Sequence, residues 1–140
     1  MRSQAHNLGS KHPEVAYTLC QLGRVYFYLG NYKKSKELLE KTLAIQEKHF
    51  GSKHVEVSHT LGQLGIIYIH LGNYKKSKEL LKKDLSIKEK YFGSTHLATA
   101  YTLRQLGRVY LYFGSYEKSK ELLEKALRSQ AHNLGSKHPE

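Results

Sequence analysis

Four histidines, His12, His54, His96 and His138, recur every 42 residues. Imidazole at a fixed spacing raises metal binding first, yet zinc needs its ligands about 2 Å from one ion. Stacked helical units would set these rings roughly 10 Å apart, so the ladder reads as helix-start residues and predicts no metal or other cofactor. Cys20 and His59 suggest a nucleophile and its base, but the cysteine occurs once in the chain and nothing beside it marks an oxyanion site. GxSxG, HExxH, phosphate-loop and CxxC patterns are all missing. Acidic residues stand mainly at salt-bridge spacing from lysines, as Lys36–Glu40 and Glu37–Lys41 do. The chain is expected not to be an enzyme.

What positions these residues is a repeat. Residues 12–53, 54–95 and 96–137 align without gaps, and the first and third units agree at 27 of 42 positions. Residues 2–14 and 128–140 match letter for letter, an offset of three units. Within the first unit Val15, Leu19, Leu22, Tyr26 and Leu29 recur at steps of three and four, an apolar stripe along a helix. Pro13 suits that helix's first turn, where a missing N–H costs nothing. Gly30 predicts a left-handed stop. A second stripe follows in Tyr32, Ser35, Leu38, Leu39, Thr42, Leu43 and Gln46 and ends at Gly51; Gly72, Gly93, Gly114 and Gly135 repeat the stops. One hairpin cannot bury both stripes, so neighbours must stack. Gly23, Gly65 and Gly107 fall inside the first helices, where glycine costs about 1 kcal/mol relative to alanine. Their recurrence predicts close approach by a neighbouring helix, and the small Ala16, Ser35, Ser77 and Ser119 point the same way.

Leu22-Gly23-x-x-Tyr26, then Gly30-x-Tyr32-x-x-Ser35, Leu39 and Thr42-Leu43, resembles a tetratricopeptide repeat (TPR). Leu64-Gly65-x-x-Tyr68 with Gly72-x-Tyr74, and Leu106-Gly107-x-x-Tyr110 with Gly114-x-Tyr116, repeat the pattern. The 42-residue length and the GSKHPEVA-type junctions are similar to the long repeats of kinesin light chain. The resemblance covers essentially the whole chain and implies an all-α, right-handed TPR-like α-solenoid of stacked helical hairpins. In a single domain, residues 1–11 would be the partial second helix of a preceding repeat, 12–53, 54–95 and 96–137 three repeats, and 138–140 the start of a next. Leu19, Leu61 and Leu103 stand where the family usually has Trp, and the family's terminal Pro is missing. Asp84 replaces a small residue late in the second helix, which predicts a looser middle junction.

In TPR proteins the inner face of the first helices lines a groove for peptides. Transferring the register places Tyr17, Cys20, Gln21, Arg24, Phe27 and Tyr28 there from the first unit. The second adds His59, Gln63, Ile66, Ile69 and His70, and the third Tyr101, Arg104, Gln105, Arg108, Leu111 and Tyr112. These positions differ most between the copies; Cys20, Gly62 and Arg104 are equivalent. Gln21, Gln63 and Gln105 stand where kinesin-light-chain-like repeats usually carry Asn, and an amide can pair with a peptide backbone. Arg24, Arg104 and Arg108 can fork onto carboxylates. The chain carries 23 Lys and Arg against 12 Asp and Glu, a net charge of +11, which also favours an acidic partner. The resemblance thus implies a protein-interaction scaffold, with an acidic peptide as the favoured ligand.

Nucleic acid would need basic and aromatic side chains interleaved in one channel. The lysine clusters at 33–36 and 75–78 instead open the second helices, on the expected outer face and away from the tyrosines, which argues against it. No stretch approaches the ~20 apolar residues of a membrane span, and a single cysteine fits a cytoplasmic protein. The rival reading is a structural array. Leu19, Leu22 and Tyr26 at the front and Leu122, Leu123 and Leu127 at the back are two different complementary faces, which predicts head-to-tail self-association. Low divergence and the lack of polar capping repeats lead us to expect an excerpt of a longer array or an engineered unit. Residues 2–14 and 128–140 would be alternative occupants of one place in a continuous stack.

Overall fold

The computed structural model describes residues 13–135 as six helices: α1 (Pro13–Tyr28), α2 (Tyr32–Phe50), α3 (Val55–His70), α4 (Tyr74–Phe92), α5 (Leu97–Tyr112) and α6 (Tyr116–Gly135). No strand occurs among the described residues. The segments expected at 1–11 and 138–140, with His12 and His138, lie outside them. The helices pack as three hairpins, α1 on α2, α3 on α4 and α5 on α6, with α2 against α3 and α4 against α5 joining them into a solenoid.

Each turn is set by a few groups. Gly30 has φ +86°, and the N–H of Asn31 reaches back to the Tyr26 carbonyl at 2.8 Å while that of Gly30 reaches Phe27 at 3.0 Å. These two bonds satisfy carbonyls that the end of α1 would leave open. Asn31 then caps α2, its side chain accepting from the Lys34 N–H at 3.1 Å, and Asn73 does the same for α4 through Lys76. His54 and His96 cap α3 and α5: their Nδ1 atoms accept from the N–H groups of Glu56 and Ala98. Their rings stack on Phe50 and Phe92.

Inside each hairpin the helices approach closely at the recurring glycine. The hydroxyls of Ser35, Ser77 and Ser119 donate to the carbonyls of Gly23, Gly65 and Gly107, each at 2.7 Å. Between hairpins the apolar stripes interlock, with Leu39, Leu61, Leu64, Ile67 and Leu80 in one cluster and Leu81, Leu103, Leu106, Val109 and Leu122 in the next. Polar groups also tie the first junction. Thr60 Oγ1 donates to Gln46 Oε1 at 2.6 Å, and the Tyr68 hydroxyl donates to Glu40 Oε2 at 2.7 Å. Burial, with that bond to Glu40, pushes the Tyr68 phenol up to about 12. In α1 the same apolar stripe ends in the open: Val15 is buried, Leu19 and Tyr26 are half-buried, and Leu22, Val25 and Leu29 are exposed.

The glycine contact gives a graded prediction. A Cβ at Gly65 would stand 2.7 Å from Cγ of the buried Leu81; at Gly107 it would stand 2.9 Å from the partly exposed Leu123, and at Gly23 3.2 Å from Leu39. Overpacking costs ~1–3 kcal/mol, against a helix-propensity gain of ~1 kcal/mol for alanine. Gly65→Ala should therefore destabilise most, Gly107→Ala less because Leu123 can swing outward, and Gly23→Ala least. Urea unfolding midpoints measure the order.

Candidate ligand groove

The first helices present their inner faces side by side and enclose a concavity of about 660 Å³. Ten of the residues expected there line it: Arg24, Phe27 and Tyr28 from α1; His59, Gln63, Ile66 and His70 from α3; Tyr101, Gln105 and Arg108 from α5. Tyr17, Cys20, Gln21, Ile69, Arg104, Leu111 and Tyr112 do not, and Ile69 is buried in the core between hairpins. Gln21 and Tyr17 bond each other at 3.0 Å, the guanidinium of Arg104 lies 5.4 Å over the Tyr101 ring, and Tyr112 stacks on Tyr74 at 4.8 Å. The sequence reading missed other lining residues, among them Leu39, Val55, Ile67, Phe92 and Ala98, and Lys88, which reaches the groove from the second helix of its hairpin.

The charged side chains lining the groove, Arg24, Arg108 and Lys88, are all basic, and no carboxylate lines it. Each arginine is oriented by a glutamine three residues earlier: Arg24 donates to Gln21 Oε1 at 3.3 Å and Arg108 to Gln105 Oε1 at 3.2 Å. Guanidinium has five N–H donors, so these bonds leave a fork for a ligand. Gln63 is engaged by its neighbours: Cys20 Sγ donates to its Oε1 at 3.5 Å, and its amide nitrogen lies 3.2 Å from His59 Nε2. The glutamines, expected to meet a peptide backbone, here position arginines and a histidine. Burial pushes the Cys20 thiol up. Burial also pulls the His59 imidazole down, helped by the positive charges of Lys88 and Arg24. With Gln63 between them, the thiol and imidazole form no nucleophile–base pair. Among the described residues no group of three His, Cys, Asp or Glu side chains is placed to hold a metal ion. No described helix is long and apolar enough to cross a membrane.

Under the groove floor lies Asp84, buried and fully partnered. Its carboxylate accepts from the hydroxyl of Ser58, from Thr102 Oγ1 at 3.2 Å and from Lys88 Nζ at 3.2 Å, and Lys88 also donates to Thr102 at 2.7 Å. Gly62 makes the room, since a Cβ there would stand 2.5 Å from Asp84 Oδ2. The junction expected to be loose is a filled polar cluster: Ser58, Gly62, Asp84 and Lys88 replace the Ala16, Cys20, Thr42 and Gln46 of the first unit. Basic and aromatic side chains also meet where the sequence reading kept them apart. Lys36 lies 5.7 Å over Tyr68, and Lys78 lies 5.8 Å over Tyr110 and 5.3 Å over Phe113. None of these five residues lines the groove.

Tetratricopeptide repeat models match residues 15–56 and 56–131. Among solved structures, the nearly identical TPR-like repeats of Podosopora anserina that bear the kinesin light chain name are 31% identical, with a TM-score of 0.77 over 93% of this chain and 62% of that one. BtubC (BKLC) from P. vanneervenii superposes with a TM-score of 0.87 over 98% of this chain and 54% of that one, at 19% identity. The MamA protein gives 0.66 over 95% and 62%, at 18% identity. The chain thus spans less than two thirds of each of these structures. No curated protein matches the sequence.

The Asp84 cluster has a pH signature. Burial raises the Asp84 carboxyl above its ordinary value near 3.8, outweighing the opposing pull of Lys88 and the hydrogen bonds. The folded state therefore binds this proton more tightly than the unfolded chain, and the stability it adds is lost as pH rises through the folded value. Replacing the pair by the first unit's residues, Asp84→Thr with Lys88→Gln, should be neutral or stabilising at pH 7, as apolar or neutral replacement of buried pairs often is. The variant's advantage should shrink in acid. Asp84→Ala alone should cost less than the ~3–5 kcal/mol of a fully enclosed broken pair, because Lys88 reaches the groove. Urea melts from pH 3.5 to pH 8 read all three.

Proposed function

The chain belongs to the tetratricopeptide repeat family, and on that premise we propose that it is a protein-interaction scaffold holding an acidic peptide segment along the inner faces of α1, α3 and α5. One observation carries this reading: the groove's charged lining is wholly basic, with Arg24 and Arg108 pre-oriented at its two ends. Ile66, their equivalent on α3, lies between them, so the site offers a cation, an apolar contact and a cation in sequence. An extended segment with acidic side chains on either side of an apolar one fits that order. The same reading places the chain in the cytoplasm, where a free thiol such as Cys20 stays reduced.

A second reading, end-to-end stacking of copies, is favoured by the exposed apolar residues Leu22 and Val25 on α1, Leu29 in the turn that follows it and Leu127 on α6.

Two measurements test these readings. Hydrogen bonds to charged groups contribute about 1.5–3 kcal/mol, so Arg24→Ala and Arg108→Ala should each weaken an array-selected acidic peptide by roughly tenfold or more. The helical circular dichroism should be unchanged, and added salt should weaken binding of the unaltered chain. Equal binding of the matching Asn/Gln peptide would sink the groove reading. For stacking, sedimentation velocity at high micromolar concentration should show species larger than monomer; a strict monomer would end that reading.

A further inference from the structure

The two ends of the described stack carry halves of pairs that are complete inside it. Leu22 is 44% exposed, whereas its equivalents Leu64 and Leu106 are 1% and 3% exposed. At the other end Leu123 is 39% exposed, whereas Leu39 and Leu81 are each 1%. Leu122, expected in this end face, is buried in its own hairpin and drops out of it. The aromatic pairs tell the same story. Tyr74 stacks on Tyr112 with rings 4.8 Å apart and 6° from parallel, and Tyr32 stacks on His70 at 4.6 Å. The next members of this series are Tyr116 on α6 and Tyr28 on α1, exposed by 67% and 77%.

Polar groups extend the match. At the α2–α3 junction Glu40 accepts from Tyr68, Lys36 covers the Tyr68 ring and Gln46 accepts from Thr60. The α4–α5 junction lacks the first and third of these pairs, because Lys82 stands in the place of Glu40 and Lys88, in the place of Gln46, donates to Thr102 instead. On α6 the equivalents are Glu124, Lys120 and Gln130, residue types identical to those of α2; on α1 they are Tyr26 and Thr18, identical to those of α3.

Resting on the end-to-end reading, we propose that the occupant of the α1 face is a second copy of this chain, seated through α6 in the register of the α2–α3 junction. Tyr116 of one copy stacks on Tyr28 of the next, the Tyr26 hydroxyl donates to Glu124, Thr18 donates to Gln130, and Lys120 covers the Tyr26 ring. Leu123 and Leu127 close over Leu22 and Val25. The contact joins two different faces, so it propagates instead of closing into a symmetric pair.

The decisive experiment uses the full chain with one end altered at a time, at the exposed positions Leu22 and Leu127. Leu22→Glu alone and Leu127→Glu alone should each lose all species above monomer in sedimentation velocity. An equimolar mixture should regain dimer and nothing longer, because one intact α6 face then meets one intact α1 face; this recovery also proves both variants folded. If the unaltered chain stays monomeric, the end-to-end reading and this joint fail together. If it associates but the mixture does not recover dimer, stacking survives and the proposed joint is overturned. Register is read by disulfide trapping in a Cys20→Ser background. Tyr28→Cys mixed with Tyr116→Cys should cross-link under conditions in which a Tyr74→Cys, Tyr112→Cys double variant closes within one chain. Closure of that control without the intermolecular bond overturns the register.

Discussion

The hairpin depends on a contact made three times, in which a serine hydroxyl from the second helix donates to the carbonyl of a glycine inside the first. Two conditions meet there. The missing Cβ lets a leucine of the second helix seat against the first helix's backbone, and the hydroxyl gives the glycine carbonyl a second partner where water has been excluded. Glycine's helix penalty of about 1 kcal/mol is offset by that close packing. Once the two helices are fixed at this distance, the outward angle of every other residue on α1, α3 and α5 follows from the 3.6-residue turn. The groove is therefore a consequence of this packing contact, and Ser35 and Leu39 of the first hairpin's contact line it themselves.

Within that shared frame the units differ where the frame tolerates it, and they differ as sets. Asp84 is compatible only with a glycine facing it at position 62, and it has donors only because Ser58, Lys88 and Thr102 surround it. The first unit solves the same space with Ala16, Cys20, Thr42 and Gln46, and the third with Ala100, Arg104, Ala126 and Gln130. Substituting one member leaves a clash or a buried charge without its partner. Lys88 links this set to the groove: its ammonium is fixed from below by Asp84 and Thr102 and faces the ligand side from a second helix.

The hairpins, their turns and the close approach at Gly23, Gly65 and Gly107 were legible because each rests on a local rule repeated at a fixed interval. Gly30 at positive φ and Pro13 at a helix start need only their neighbours in sequence. The groove was legible in part. Ten residues fell where the register placed them, but a register gives direction and not reach. Arg104 points inward by register and yet folds onto Tyr101, a choice between a ring and open solvent that no spacing encodes. Lys88 was invisible because it sits on a helix assigned to the outside, and only the length of its side chain brings it in. The loosened junction expected at Asp84 failed for a related reason. Asp84 was weighed alone, while its compensation lay 22 residues back at Gly62 and 18 ahead at Thr102.

The groove and the end faces are not independent if copies stack in the α2–α3 register. Along one chain the inner-face series reads Arg24, Ile66, Arg108. Across a joint, Arg108 of one copy becomes the immediate neighbour of Arg24 of the next, with no isoleucine between them. Two guanidinium groups one repeat apart repel, most strongly at low ionic strength. The joint is therefore opposed by the same residues that would attract an acidic segment, and a ligand carboxylate bound between them removes the opposition. Linkage then requires the reverse effect as well: a ligand that strengthens stacking must itself bind more tightly to stacked copies than to single ones. If both proposals hold, the basic groove would bind the partner and set how far the scaffold extends, and salt would act on the two in opposite directions, weakening ligand binding while relieving repulsion at the joint.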